Sequence, residues 1–206
     1  MSKKIAIVDY GMGNINSVKR KILQLGAEVI VTSNPEEILT ADKIILPGVG
    51  HFSKAMESLR AHQLVEPLNK AVLENHTPIL GICLGMQLMA LSSEEGSVPG
   101  LGWFDATVVR FNVEDQLHFK IPHTGWNQVI WQKESPLEKG LTKESEFYFV
   151  HAFHLKTNNP EDNLNLTDYE YQFPSAISKG HIYGVQYHPE KSHDAGLQML
   201  KNFIEI

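Results

Sequence analysis

The chain has 206 residues, a net charge of −6 and a hydrophobic content of 42%, as in an ordinary globular protein. This length suffices for one well-buried α/β domain and is short for two, so we expect residues 1–206 to form a single domain. The negative charge and the lack of a dense Lys/Arg cluster argue against a nucleic-acid partner.

The cysteine count and the N-terminus exclude further classes of protein. The single cysteine, Cys83, rules out an internal disulfide and indicates a reducing compartment. An apolar stretch, Ile5–Val8, ends at Asp9 and is too short for a signal peptide or a membrane span. The sequence therefore predicts a cytoplasmic protein without a membrane partner.

The first half of the chain alternates short apolar runs with amphipathic segments. The apolar runs predict buried strands over Ile5–Val8, Glu28–Val31, Lys43–Leu46 and Pro78–Ile82. The amphipathic segments predict helices over Ser17–Leu25, Pro35–Leu39, Ser53–Leu59 and Val65–Leu73. Strands separated by helices indicate parallel pairing with right-handed crossovers.

After about Gly100 the pattern changes to strands joined by turns. Strands are predicted over Ala106–Phe111, Gln128–Trp131, Phe147–Val150, Phe153–Lys156 and Ile182–Tyr187. A helix is predicted over His193–Ile204, with one apolar face formed by Leu197, Leu200 and Phe203. We therefore expect a three-layer α/β fold, in which helices flank a mostly parallel central sheet that antiparallel strands extend.

Three polar or glycine-containing segments each follow a predicted parallel strand. They are Gly11–Asn14, Gly48–Gly50 and the segment that contains Cys83. Because functional groups in such sheets gather beyond the carboxyl ends of the strands, these segments are expected to share one edge.

Cys83 stands between an apolar run and a helix-like segment, with glycines two residues away on each side. This is the pattern of a nucleophile elbow, a sharp strand-to-helix turn that exposes a reactive side chain. The glycines leave room for a strained backbone, and the N-terminus of the following helix favours a thiolate. A buried core cysteine is the alternative interpretation of an isolated thiol.

A cysteine nucleophile needs a base and a group that orients the base. His188 and Glu190 flank a rigid proline near the end of a predicted strand, so imidazole and carboxylate can lie side by side. The backbone N–H of Leu84 and a second N–H from the Gly48–Gly50 loop, at Gly50, are expected to stabilise an oxyanion. Taken alone, this loop is more typical of a plain turn at the end of a strand.

The elbow belongs to a series of ordered motifs that runs from about residue 5 to the C-terminus. They are DYGMGN (9–14), LPGVG (46–50), GICLGMQ (81–87), SEEG (93–96), PHTGWN (122–127), YFVH (148–151) and HPEKS (188–192). Together they resemble the class I, triad-type glutamine amidotransferases, and among these the glutaminase subunits of imidazole glycerol phosphate synthase. Such domains have a flavodoxin-like fold and hydrolyse glutamine through a cysteinyl thioester.

The resemblance implies roles for further residues. Gln87, Glu95 and the backbone at Gly48 would hold the substrate glutamine. The positions that would face a synthase partner are Asn14, Trp126, Asn127, Tyr148 and Lys191. The partner implied is a cyclase subunit of (β/α)8-barrel type, which forms a heterodimer with the glutaminase and receives its ammonia. The resemblance implies no cofactor.

Two other functions stay open at this stage. Some paralogues supply ammonia to sugar-modifying amidotransferases of surface polysaccharide pathways. The chain resembles these paralogues at Trp103 and at the pair Ser192–His193. A free-standing thiol hydrolase that cleaves amide or γ-glutamyl bonds is the second alternative. A non-catalytic scaffold is disfavoured because Cys83, His188 and Glu190 are all present.

The histidines give little support to a metal site. His151 and His154 are three residues apart, and in a continuous strand this spacing would place them on opposite faces. No Cys/His cluster has a zinc-binding spacing. We therefore expect no metal.

Overall fold

The computed structural model describes residues 4–206, which form thirteen β-strands and six α-helices. The strands are β1 (Lys4–Val8), β2 (Glu28–Thr32), β3 (Lys43–Gly48), β4 (Ile79–Cys83), β5 (Ser92–Ser93), β6 (Ala106–Arg110), β7 (His123–Gln128), β8 (Ile130–Trp131), β9 (Glu146–His151), β10 (Phe153–Thr157), β11 (Asn163–Tyr169), β12 (Tyr171–Lys179) and β13 (Ile182–Val185). The helices are α1 (Ile15–Gln24), α2 (Pro35–Leu39), α3 (Phe52–Ala61), α4 (Val65–Asn69), α5 (Leu84–Gln87) and α6 (His193–Glu205).

The largest sheet has eight strands in the order β2-β1-β3-β4-β13-β12-β11-β8. The first five of these pair in parallel, and β12, β11 and β8 continue the sheet antiparallel. The prediction of a mostly parallel α/β sheet with antiparallel additions is therefore confirmed. Two smaller sheets, β10-β6-β5 and β7-β9, lie beside it.

Helices cover both faces of the parallel strands, which is why the central ones, β3, β4 and β13, are buried at every position. On β3, Ile44 and Leu46 join a core cluster with residues of α3, whereas Ile45 points into a second cluster with residues of α1 and α6. The three side chains are fully buried. Three layers result, as predicted. No helix within residues 4–206 is both long and apolar enough to cross a membrane.

The antiparallel hairpin of β11 and β12 was not predicted. Its sequence contains Asn163, Asn165, Asp168 and Pro174, residue types that are depleted in strands. The pairing register shifts on both sides of Asn165, and Ser175 donates to the Asn165 Oδ1 atom at 2.9 Å. Long-range pairing with irregular register thus overrides weak local propensity.

Smaller departures concern element boundaries. The strand predicted over Gln128–Trp131 covers only the last residue of β7 and all of β8, because Val129 lies between the two strands. Helix α6 has the predicted start, but its fully buried apolar residues are Met199, Leu200 and Phe203, while Leu197 is half-buried.

Candidate active site

Cys83 lies at a sharp strand-to-helix turn, as predicted. Strand β4 ends at Cys83 and α5 begins at the next residue, and the cysteine has φ +53°, a backbone conformation that residues with a side chain rarely adopt. A Cβ atom at Gly85 would lie 1.8 Å from the Leu46 carbonyl oxygen. The glycine is therefore required where α5 passes close to β3.

His188 and Glu190 form the expected pair. Their Nδ1 and Oε1 atoms are 2.8 Å apart, and both side chains are buried. A 3-10 turn over Pro189–Lys191 brings the carboxylate back against the ring. With Nδ1 committed to Glu190, Nε2 is the ring nitrogen available to exchange a proton with Cys83.

The surroundings favour the protonated form of His188. Burial acts to lower its pKa, but the interactions with Cys83 and Glu190 outweigh burial and raise the pKa to about 9. A protonated imidazole between a cysteine sulfur and a carboxylate suits a group that must deliver a proton to a leaving amine.

Asn14 also contacts this pair. Its Nδ2 atom donates to Glu190 Oε1 at 3.1 Å, so one carboxylate oxygen accepts from both Asn14 and His188. Asn14 lies directly before α1 and is half-buried. The segments after β1, β3 and β4 meet at one edge of the sheet, as predicted, because an added Cβ at Gly13 would lie 3.2 Å from Pro47 and Gly48 pairs with Cys83.

A cavity of about 380 Å³ opens above Cys83. It is lined by Val49, Gly50, Cys83, Leu84, Gln87, Glu95, Pro122, Val150, His151, Ala152, Phe153, His188 and Lys191. The predicted nucleophile, the base, the oxyanion residues Gly50 and Leu84, and the substrate residues Gln87 and Glu95 thus line one cavity, whereas Gly48 does not line it. Gly48 lies directly opposite Cys83 in the pairing of β3 with β4, and Gly50 has φ +107°, which favours glycine.

The two side chains expected to bind substrate, those of Gln87 and Glu95, already make hydrogen bonds within the protein. Nε2 of Gln87 donates to the backbone oxygen of Phe153 at 2.9 Å and to Oε1 of Gln186 at 3.0 Å, which leaves its own oxygen for a ligand. Oε2 of Glu95 accepts from the backbone N–H of Phe52 at 2.8 Å. Its second oxygen stays available at the cavity.

Three of the residues expected to face a partner lie close together beside the cavity. Trp126 is 43% exposed, stacks on His193 at 4.8 Å between ring centroids and contacts the edge of Tyr148. The Lys191 ammonium lies 5.6 Å from the Tyr148 ring centroid. Asn127 points to the other face of β7, where it donates to the backbone oxygen of Asp168 at 3.0 Å.

The expectation that His151 and His154 lie on opposite faces is wrong. Both rings pack against Phe111, at 5.1 and 4.6 Å between centroids. Ala152 separates β9 from β10, which belong to different sheets, so strand alternation does not continue across it. Burial lowers the pKa of both rings. Residues 4–206 contain no group of three or more His, Cys, Asp or Glu side chains that could hold a metal ion.

One residue at the nucleophile was missed. Gln186 directly follows β13 and donates to the sulfur of Cys83 at 3.6 Å. Its signal in the sequence is an uncharged polar residue at the end of an apolar strand, two positions before His188. On its own that signal is weak.

Comparisons with known proteins identify the family of the chain. Residues 6–206 match the family described as glutamine amidotransferase class-I. The chain is 48% identical to imidazole glycerol phosphate synthase subunit HisH 2 of Methanococcus maripaludis, over 98% of each chain. It is 44% identical to subunit HisH 2 of Pseudomonas aeruginosa, over 98% of this chain and 99% of that one.

Solved structures share the fold at low sequence identity. PurLQS from Thermotoga maritima superposes with a TM-score of 0.74 at 16% identity, covering 100% of this chain and 99% of that one. A glutamine amidotransferase superposes with a TM-score of 0.73 at 19% identity, covering 98% and 99%. The chain therefore belongs to the class I glutamine amidotransferase family and is similar along its whole length to HisH subunits of imidazole glycerol phosphate synthase.

Proposed function

We propose that Cys83, His188 and Glu190 carry out the glutamine hydrolysis of this amidotransferase as nucleophile, acid-base group and orienting carboxylate. The observation that carries the proposal is the 2.8 Å contact of Glu190 with His188, which lines the same cavity as Cys83. The strained elbow and the raised pKa of His188 support the same roles.

The reaction proceeds in two balanced steps. In the first, the Cys83 sulfur bonds to the amide carbon of glutamine, His188 protonates the amide nitrogen, and the carbon–nitrogen bond breaks to release ammonia. In the second, water attacks the resulting thioester, His188 accepts its proton, and the carbon–sulfur bond breaks. Glutamine and water thus give glutamate and ammonia.

Both tetrahedral intermediates carry a negative oxygen that needs donors. Leu84 is the first residue of α5, and its backbone N–H lacks an intrahelical partner. We assign one donor to Leu84 and the second to the backbone at Gly50, which lines the same cavity.

The substrate is held by the remaining polar groups of the cavity. The free Glu95 oxygen suits the α-ammonium of glutamine, and the Gln87 oxygen suits a second N–H donor. We assign a third substrate contact to the backbone at Gly48, which pairs with Cys83 across the sheet.

The ammonia passes to a separate synthase, consistent with the description of the relatives as subunits of imidazole glycerol phosphate synthase. We propose a cytoplasmic heterodimer with a (β/α)8-barrel cyclase, formed through Asn14, Trp126, Asn127, Tyr148 and Lys191. Residues 1–206 then act as a single glutaminase domain, in which the central sheet joins β1 to the C-terminal strands.

The decisive test is glutaminase activity of Cys83→Ala in the presence of the cyclase. The variant is expected to fold, bind the cyclase and release no ammonia from glutamine. Wild-type activity in this variant contradicts the assignment. A wild-type chain that is fully active and monomeric beside the cyclase favours a free-standing amidohydrolase.

A further inference from the structure

Gln186 is placed against the nucleophile by the register of the central sheet. Val185 on β13 pairs with Ile82 on β4, so the next residues along the two strands, Gln186 and Cys83, are neighbours. The Gln186 side chain is fully buried, and its Nε2 atom lies 3.6 Å from the Cys83 sulfur. Its backbone N–H is bonded separately to the Ser175 carbonyl oxygen at 2.9 Å.

The hydrogen bonds around Gln186 determine which end of its amide faces the sulfur. The Phe153 carbonyl oxygen can only accept, so the Gln87 atom 2.9 Å from it is the nitrogen. The same nitrogen donates to Gln186 at 3.0 Å, which requires the Gln186 oxygen at that contact. The N–H group of Gln186 is therefore directed at Cys83.

We propose that Gln186 is a further catalytic residue, which donates an N–H hydrogen bond to the Cys83 sulfur and stabilises it as a thiolate. The proposal rests on the proposed role of Cys83 as nucleophile. Hydrogen bonds to an ionised acceptor are stronger than those to a neutral one, so the contact strengthens when the sulfur becomes charged.

The donor acts in both steps of the reaction. Before attack it holds the sulfur beside His188 as the charged, nucleophilic species. During hydrolysis of the thioester, negative charge returns to the sulfur as the carbon–sulfur bond breaks, and the same N–H stabilises the departing thiolate. Gln87 in turn orients Gln186, so Gln87 serves as a positioning residue as well as a substrate contact.

Alkylation of Cys83 by iodoacetamide, followed against pH in the full-length chain, tests the proposal. Gln186→Met keeps the length of the side chain and removes the donor. We expect alkylation at pH 7 to be about 10-fold slower, its pH profile to move to higher pH, and kcat for glutamine to fall about 10- to 100-fold. An unchanged profile in the folded variant overturns the proposal.

Asn165→Leu is the matched control, because Asn165 is a fully buried amide on β11 that contacts Ser175 and not Cys83. It is expected to lower stability and leave the alkylation profile unchanged. Equal displacements of the profile in both variants indicate a general packing effect and overturn the proposal. Alkylation of wild-type Cys83 that leaves glutamine hydrolysis intact contradicts the proposed function instead.

A second measurement needs no variant at position 186. The side-chain amide resonances of Gln186 in the wild-type chain are expected to shift with pH as Cys83 ionises, and to lose this dependence in Cys83→Ser. Resonances that are independent of pH in the wild type overturn the proposal even where Gln186→Met does not fold.

Discussion

Asn14 donates a hydrogen bond to the Glu190 carboxylate at 3.1 Å across a separation of 176 residues. The loop after β1 thereby contacts the His188–Glu190 pair, which lies just after the last strand, β13. Since the same oxygen accepts from His188, Asn14 helps to hold the carboxylate in the orientation that the imidazole needs. A residue expected at the partner surface therefore also contacts the catalytic machinery.

Asn14→Ala is expected to reduce kcat about 10-fold, because the Glu190 carboxyl loses one part-buried hydrogen bond. Asn14→Asp is expected to reduce it further, since it places a second carboxylate beside Glu190. Steady-state assays of the complex at saturating cyclase separate this loss from weakened association. If Asn14→Ala keeps the wild-type kcat under these conditions, Asn14 contributes to partner binding and not to catalysis.

Removal of the cysteine is expected to lower the pKa of His188 from about 9. In Cys83→Ala burial still lowers the pKa, Glu190 still raises it, and the contribution of Cys83 is lost. NMR titration of the imidazole ring measures the change. An unaltered midpoint shows that Cys83 does not act on His188.

The same shift makes stability depend on pH. The folded protein binds a proton at His188 more tightly than the unfolded chain, whose ordinary value is 6.5. The resulting stabilisation is complete below pH 6.5 and is lost as the pH rises through about 9. Urea unfolding at pH 6 and at pH 10 is expected to show a smaller difference for Cys83→Ala than for wild type.

Gly85→Ala is expected to lower the free energy of unfolding by about 3 kcal/mol or more, because its Cβ would overlap the backbone of β3. Gly26→Ala is the control. No atom lies within 4 Å of its added Cβ, and its φ of +77° is expected to cost about 1 kcal/mol. Denaturant titrations compare the two, and equal losses would show that close packing at the elbow is unimportant.

Trp126→Ala is expected to weaken cyclase binding by about 30-fold, because exposed aromatic residues commonly anchor interfaces. The secondary structure and the Cys83 alkylation rate of the isolated chain are expected to stay unchanged. Leu117→Ala provides the control, since Leu117 is 83% exposed and is not among the positions expected to face the partner. Equal affinities of the two variants for the cyclase would show that the interface lies elsewhere on the chain.

The parallel half of the fold and the pairing of His188 with Glu190 were predictable because their signals are local, whereas the joining of Cys83 to this pair followed from the resemblance to amidotransferases. Apolar runs mark strands buried on both faces, and a proline turn brings His188 and Glu190 together. The hairpin of β11 and β12 was not predictable, since its pairing opposes its residue propensities. The contacts of Asn14 with Glu190 and of Gln186 with Cys83 depend on strand order and register. Local sequence patterns do not predict either of these.

Mass spectrometry of the chain after treatment with a glutamine analogue that carries a diazo ketone in place of the side-chain amide tests the central claim most directly. Cys83 is expected to carry a single adduct whose formation glutamine blocks, and glutamine hydrolysis by the labelled protein in the presence of the cyclase is expected to stop. An adduct at another residue, or full hydrolysis by protein labelled at Cys83, contradicts the assignment of Cys83 as the nucleophile.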